Sequence, residues 1–474
     1  MATEAARAYV EGMVFLLAVI AASAGGDPGP AGEAPAGSPA PSPVAVGLSG
    51  AGRSSRMAIE QTVEEIAPLV AQIAGRRFTQ VPGVLIADIP RIEQVLYEEQ
   101  VHLLRNATDL GTEAARREAR AAVANTGGLF VGKYGFLDHN LYIVPGAVRA
   151  ALAEEGLDPT LESAVLELVI AHELTHALQD QQADLDESVI HQSGKDAVMA
   201  LNCLIEGHAV WVHEQVGRAR GHPEAVDAVA RILGYDLGSP HGVDPGRYYT
   251  SYVYGQGRTF VEHHLTRGGP EAVWTLFVHP PLSSSMIVDP ATYGNAPATL
   301  PEETRRALRR GRDRFVGDEW TLGEEVVGDF DLRERLMEAR ASTHLADRLV
   351  GAWATRGAPK AGAAGAEVQL LRFDAADAAW SYVQAMHANA GTLLADAMSE
   401  TNGAIEGTVG LWDGVPSSDL AAREVIGLTS MNGQQLSTHW VARGPYVVQV
   451  VLVNAPPSER TVAAQINRVL RTVE

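Results

Sequence analysis

Apolar residues recur at three- and four-residue spacing through much of the chain. Ile59, Val63, Ile66, Val70 and Ile73 predict an amphipathic helix over 57–75. A short apolar run, Gly83 to Ile86, predicts a strand, and Pro90 sits where a helix over 91–105 would begin. Residues 128–144 (GLFVGKYGFLDHNLYIV) predict a β-hairpin, with strands at 128–133 and 140–144 around a polar Asp-His-Asn turn. Two long helices follow. Residues 161–182 are strongly apolar, and Gly194 to Arg218 carries Ala197, Leu201, Leu204, Ile205, Ala209 and Val212 on one side. A Gly/Pro/His-rich loop at 238–246 leads to a helix over Tyr252 to Leu265, and Pro280-Pro281 closes that region. Residues 301–315 (PEETRRALRRGRDRF) predict a charged, solvated surface helix.

Beyond a Gly/Ala-rich joint at Arg356 to Ala366 the pattern changes. A strand at Val368 to Phe373, a helix at Ala375 to Ala388, strands within Ser437 to Asn454 and a helix at Ser458 to Val473 predict a small α+β module. No internal repeat is present. The N-terminus reads differently from everything else. Met13 to Ala24 is a short apolar run ending in the small residues Ala22-Ser23-Ala24, as in a cleaved secretory leader. Arg7 is its only flanking base, so the alternatives are an uncleaved membrane anchor or a cytoplasmic protein with a hydrophobic N-terminal helix. Gly25 to Gly52, rich in Ala, Gly, Pro and Ser, cannot bury a core and reads as a tether. The expected organisation is a leader or anchor at 1–24, a linker at 25–56, a main domain at 57–300, a helical connector at 301–364 and the α+β module at 365–474. The expected location is secreted, or anchored outside the cytoplasm.

Composition narrows the chemistry. Of 474 residues, 46% are hydrophobic, enough for a substantial core. The net charge of −21 repels phosphate backbones and argues against a nucleic-acid partner. Cys203 is the only cysteine, which excludes an intramolecular disulfide and thiolate metal clusters; on a helix it reads as a packing residue. Any metal must therefore be held by His, Asp or Glu.

Residues 172–176 read His-Glu-Leu-Thr-His. On a helix, positions i and i+4 share a face, so His172 and His176 can turn their imidazoles toward one ion. Glu173 is then placed to act as general base on water without ligating the metal. A catalytic zinc site needs a third protein ligand and an open position. Gln182 stands where a third histidine six residues beyond His176 would be. Glu206, 30 residues beyond His176 on the next long helix, is the preferred third ligand if that helix returns antiparallel. His213, near the same face two turns on, and His191, on the connection, are rivals; His208 should point elsewhere. Tyr254 is the first choice for a second donor to a developing oxyanion, with His263 and His264 behind it. Asp180, four residues after His176, is a candidate to orient an imidazole, against the alternative of an ordinary exposed acid. The hairpin offers an edge for an extended peptide, or is simply structural.

HELTHALQDQ followed by IEGHA resembles the gluzincin branch of the HExxH metallopeptidases, above all a set of secreted bacterial proteins. SYVYGQGRTFVEHHL, PPLSSSMIVDPATY and TLGEEVVGDFDLRERL are similar to the same set. The resemblance implies a zincin-like α+β fold, a small mixed sheet beside the active-site helices, and zinc-dependent peptidase activity on a peptide or protein substrate. Asp289 departs from it, standing where the set often has histidine before the proline. Two other functions compete: a zincin-fold binding protein without catalysis, and a zinc hydrolase of non-peptide amides such as cell-wall material. Glu173 argues against the first, since a structural metal site has no use for a base.

Overall fold

A computed structural model describes residues 50–107, 111–124, 131–144, 146–192, 195–235, 245–295, 300–316, 324–338, 341–357, 365–386, 405–411, 422–430, 435–453 and 459–473. The expected leader, most of the linker and most of the segments 238–246 and 356–366 lie outside the described residues. No helix among the described residues is long and apolar enough to cross a membrane.

The chain is mixed α+β. Helix α1 (Gly50–Ala74) buries Ile59, Val63, Ile66 and Val70, four of the five positions expected on its apolar stripe. Strand β1 (Gly83–Ile86) and helix α2 (Ile89–Ala107) follow as expected. Helix α3 (Thr112–Ala124) has no counterpart in the predicted elements; its buried residues are alanines, which carry little periodic signal. Strands β2 (Gly132–Gly135) and β3 (Asn140–Ile143) form the hairpin, with Tyr134 opposite Leu141. The first strand of the hairpin runs two residues past its expected end at 133. β1 pairs in parallel with β3, giving a three-stranded mixed sheet of order β1-β3-β2 with β2 at one edge.

After α4 (Ala147–Glu154) come the two central helices, α5 (Glu162–Ala183) and α7 (Lys195–Arg220), joined through the short α6 (Leu185–Ile190). α5 is apolar on nearly every side, the pattern of a helix enclosed by others. α1, α4, β2, α7 and α8 (Pro223–Leu233) all pack on it. α7 runs antiparallel to α5: His172 meets His213 near one end of the contact, and Gln179 meets Ile205 toward the other. α9 (Pro245–Thr250) runs into a π-helical turn, Ser251–Gln256, and then α10 (Gly257–Val278). α10 lies against α7 in a close crossing described below. α11 (Ser284–Val288) ends at Asp289, whose carboxylate accepts the Ala291 amide at 3.3 Å.

The remainder builds a second sheet. α12 (Glu302–Val316) precedes β4 (Glu324–Val326), α13 (Asp329–Glu338), β5 (Leu349–Gly357), β6 (Gly365–Phe373), α14 (376–386), β7 (Ile405–Leu411), β8 (Ala422–Ser430), β9 (Gln435–Arg443), β10 (Tyr446–Val453) and α15 (Glu459–Leu470). All seven strands are antiparallel, in the order β4-β5-β6-β10-β9-β8-β7. Two expectations are corrected here. The helix at 301–315 is not wholly solvated: Ala307, Leu308 and Arg312 are buried against β5, β6 and α15, and Arg312 donates to Thr355 Oγ1 at 2.9 Å. The segment 301–364 is not only helical, since it supplies β4 and β5 to the sheet.

A buried polar network ties the two parts together. Asp196, in the first turn of α7, accepts the Ser284 amide at 3.1 Å and the Ser284 hydroxyl. Ser284 Oγ in turn accepts the Phe330 amide at 3.0 Å. Tyr252 donates to Asp329, which holds Arg333 through contacts of 2.6 and 2.9 Å.

Candidate metal centre

The antiparallel pairing of α5 and α7 decides which side chains meet. Successive turns of α5 present His172 and His176 on one face, and Glu206 of α7 comes opposite both. His172 Nε2 lies 3.0 Å and His176 Nε2 3.4 Å from Glu206 Oε2. One donor atom from each of the three residues lies within 4.8 Å of the other two. Glu206 is 3% exposed and His172 9%, so this is a buried group and not a chance surface cluster.

Two effects compete on these charges. Burial pushes the Glu206 carboxyl up, but the adjoining His176 and His172 imidazoles outweigh it and bring it down to about 2. Burial pushes the His176 imidazole down, but the Glu206 carboxylate, with Glu173, outweighs it and raises it to about 9. Both shifts record one fact: a buried anion sits against two imidazole edges and calls for positive charge between them. A protonated His176 or a divalent cation can supply that charge. In a tetrahedral zinc site with bonds near 2.0–2.2 Å, neighbouring ligand atoms are about 3.3 Å apart. The separations of 3.0 and 3.4 Å are compatible with that spacing, and two nitrogens with one carboxylate suit zinc's ligand preference. The three side chains thus form a buried group able to hold a metal ion.

The far nitrogen of each imidazole is also engaged. His176 Nδ1 donates to Gln179 Oε1 at 2.9 Å, and Gln179 Nε2 donates to Ile205 O at 2.9 Å and to His208 Nδ1 at 3.2 Å. His172 Nδ1 lies 3.2 Å from His213 Nδ1, and His213 Nε2 lies 3.1 Å from the Tyr235 hydroxyl. Burial, reinforced by His172, Arg258 and Arg218, holds His213 well below the usual histidine range. As a neutral ring it accepts from His172 Nδ1–H and donates from Nε2–H to Tyr235. With a metal bound between the imidazoles and Glu206, these partners would leave both Nε2 atoms as the lone-pair nitrogens facing it.

Asp180, expected as a candidate to orient an imidazole, binds neither His172 nor His176. It accepts the Tyr134 hydroxyl at 2.9 Å and the Leu185 amide at 3.2 Å, and lies 3.3 Å from His139 Nδ1. The orienting residue is Gln179, one position earlier. The rival ligands also separate from the centre: His213 stands behind His172, and His191 is exposed and bonded to Glu187. His208 is buried, driven down to about 3 by burial and then by His176, and packs edge-on to Trp274. Cys203 is fully buried, a packing residue as read from the sequence.

Glu173 lies on the neighbouring face of α5. Its Oε2 accepts the Tyr134 amide of strand β2 at 2.7 Å, so the sheet edge fixes the carboxylate. The Tyr134 hydroxyl reaches Asp180 one turn beyond His176, which clamps β2 along α5 at a second point. Tyr254, from the π-helical turn, is buried with its ring 6.0 Å from His172, and burial, followed by the Glu206 charge, pushes its hydroxyl well above the usual tyrosine range. It therefore packs beside the centre next to His172. His263, His264 and Asp289 do not border the cavity described next.

A cavity of about 540 Å³, part of it open to solvent, lies against His172, Glu173, His213 and Tyr254. Its other walls are apolar. Among the described residues one further acidic group converges, Asp180, Asp184 and Asp186, at the end of α5. Asp180 serves Tyr134 there, and Asp186 pairs with His102 at 3.1 Å.

The chain matches no family model and no curated protein. Its structure is similar to a crystal structure from Chloroflexus aurantiacus described as "a putative hydrolase with a novel fold", at 18% identity and TM-score 0.36, covering 50% of this chain and 88% of that one. A likeness of that size carries no argument about this chain's activity.

Proposed function

We propose that this protein is a zinc-dependent hydrolase that cleaves peptide bonds, with His172, His176 and Glu206 as metal ligands and Glu173 as general base. One observation carries the reading. Two imidazole Nε2 atoms converge on one buried carboxylate at a spacing that can accommodate a metal ion, and a second carboxylate is held beside them facing a cavity. A purely structural centre would not need that second carboxylate.

A zinc ion, when bound, supplies Lewis acidity, lowering the pKa of coordinated water and polarising the scissile carbonyl. The chain's own groups do the rest. Because Tyr134 N–H holds Glu173 Oε2, Oε1 is the oxygen left to take the proton of the attacking water and pass it to the leaving amine. Gln179 and His213 hold the two imidazoles in the tautomer that leaves Nε2 free. Tyr254, beside His172 on the cavity wall, is the chain's candidate second donor to the oxyanion. The apolar run Met13 to Ala24 supports export or an N-terminal tether, and the net charge of −21 makes peptide a better substrate than nucleic acid.

The test is a panel of casein, short peptides and peptidoglycan, incubated with the protein before and after chelation. The reading requires chelator-sensitive cleavage of peptide bonds, abolished by Glu173→Gln with the metal still bound. Cleavage confined to peptidoglycan would redirect the substrate to cell-wall amides. Turnover that survives Glu173→Gln would remove the base.

A further inference from the structure

Helix α12 has two opposite faces. Thr304, Ala307, Leu308 and Arg312 are buried, while Arg305, Arg306 and Arg310 are exposed and Arg309 is half-buried beside them. Helix α15 packs against α12 and lies over β9 and β10, and the Thr304 hydroxyl donates to Thr472 O at 3.3 Å. Val462, Ile466, Val469 and Leu470 of α15 join the same core cluster as Ala307 and Leu308, so both helices cover one side of the sheet. Arg468 and Arg471 are exposed on α15, away from that core. Six arginines thus share one solvent face of two adjoining helices. Glu302 and Glu303 are the acids that oppose them there, since Asp313 is held by buried Arg312 at 2.8 Å. Six against two leaves a net charge of +4 on this face, in a chain whose net charge is −21. Glu302 engages Arg305, Arg306 and Arg309 at 2.8 to 3.0 Å. Arg310, Arg468 and Arg471 have no side-chain partner among the described residues.

We propose that the outward face of α12 and α15 docks on the anionic headgroups of a lipid bilayer. Like charges gathered on one face repel one another, and an anionic partner turns that cost into attraction. Two observations favour headgroups over a nucleic acid. No aromatic residue stands on the outward face among the described residues, so bases would find nothing to stack on. The run Met13 to Ala24 has the pattern of a leader or anchor, and both of those meet a bilayer. The acidic remainder of the molecule opposes the approach only at short range, because charges farther than about 8 Å are largely screened at physiological salt. Each arginine against an anionic surface strengthens partitioning about 5-fold. The docking is independent of the metal centre and goes beyond the hydrolase reading.

The test is co-sedimentation of the full chain with two kinds of vesicle, pure phosphatidylcholine and an equal mixture of phosphatidylcholine with phosphatidylglycerol. The N-terminal apolar run enters both alike, so the difference between them reads the basic face. The docking predicts stronger binding to the anionic vesicles, lost as salt rises from about 50 to about 500 mM. Arg310→Ala, Arg468→Ala and Arg471→Ala combined should weaken it about 100-fold, with thermal unfolding unchanged, because these side chains hold nothing in the fold. The same three positions changed to lysine should keep it. Glu302→Gln should strengthen it about 5-fold, the opposite sign, by removing the acid that three arginines share. Equal binding to both vesicles overturns the proposal, and so does a triple alanine variant that binds as the parent does. Duplex DNA is the third probe. Binding to it that is tighter than to anionic vesicles at the same salt, and lost in the same triple variant, overturns the bilayer in favour of a nucleic acid.

Discussion

Gly207 follows Glu206 directly and lies where α7 crosses α10, so it links packing to the candidate centre. A methyl group placed on it would lie 2.1 Å from the carbonyl carbon of Gly257, 2.3 Å from its oxygen and 2.6 Å from the Arg258 nitrogen. A methyl group on Gly257 would meet Cys203 O at 2.1 Å. The obstacles are backbone atoms of two helices and cannot swing aside. Ordinary contact begins at 3.4 Å, so Gly207→Ala must part the helices by roughly 1.3 Å. Overpacking of this kind costs about 1–3 kcal/mol, and rigid backbone places it toward the top of that range. Helix propensity alone would predict the opposite sign, a gain of about 1 kcal/mol for alanine over glycine. The sign therefore discriminates. Movement of Glu206 by even part of that distance exceeds the roughly 0.2 Å tolerance of a metal–ligand bond. Thermal unfolding with metal analysis on the same samples should show a lower Tm and metal affinity reduced at least about 10-fold. A Gly207→Ala protein as stable as the parent, with the same metal content, would refute the crossing and the coupling together.

Gln179→Leu removes the acceptor for His176 Nδ1 and leaves Ile205 O and His208 Nδ1 without their Gln179 partner; metal affinity should fall about 10- to 100-fold, measured by competition with a chelating dye. Asp180→Asn should change it little, because Asp180 serves Tyr134 instead. Asp196 gives a pH effect. Burial, followed by the Asp331 charge, lifts its carboxyl from 3.8 to about 7. Between those values the folded state holds a proton that the unfolded state has released, so this group makes stability fall as pH rises from about 4 to about 7. Asp196→Asn should flatten that part of the curve in urea titrations across the window, and an identical slope in both proteins would rule the effect out.

The centre was legible in the sequence to the extent that it depends on one helix. His172, Glu173 and His176 follow from helical spacing alone. Glu206 followed from assuming an antiparallel return, which the contact of Gln179 with Ile205 displays. What was not legible depends on contacts between elements. His213 looked like a competing ligand because residues 206 and 213 share a face of α7; only the crossing shows that it stands behind His172. The i+4 spacing points to Asp180, but i+3 lies on the same face, and the partners that place Asp180 and Gln179, Tyr134 and Ile205, are distant in sequence. The π-helical turn at Ser251–Gln256 shifts the phase of every residue after it, so a 3.6-residue pattern could not say which of Tyr252 and Tyr254 faces the centre. Tyr252 turns to Asp329, and Tyr254 packs beside His172. The strands β7 and β8 were missed for a simpler reason: glycine, threonine and glutamate interrupt their apolar alternation.

The most direct measurement is anomalous diffraction at the zinc absorption edge from zinc-soaked crystals. One peak within bonding distance of His172 Nε2, His176 Nε2 and a Glu206 oxygen, lost in Glu206→Ala, is the predicted result. Zinc bound elsewhere, or retained unchanged without the Glu206 carboxylate, would contradict the assignment.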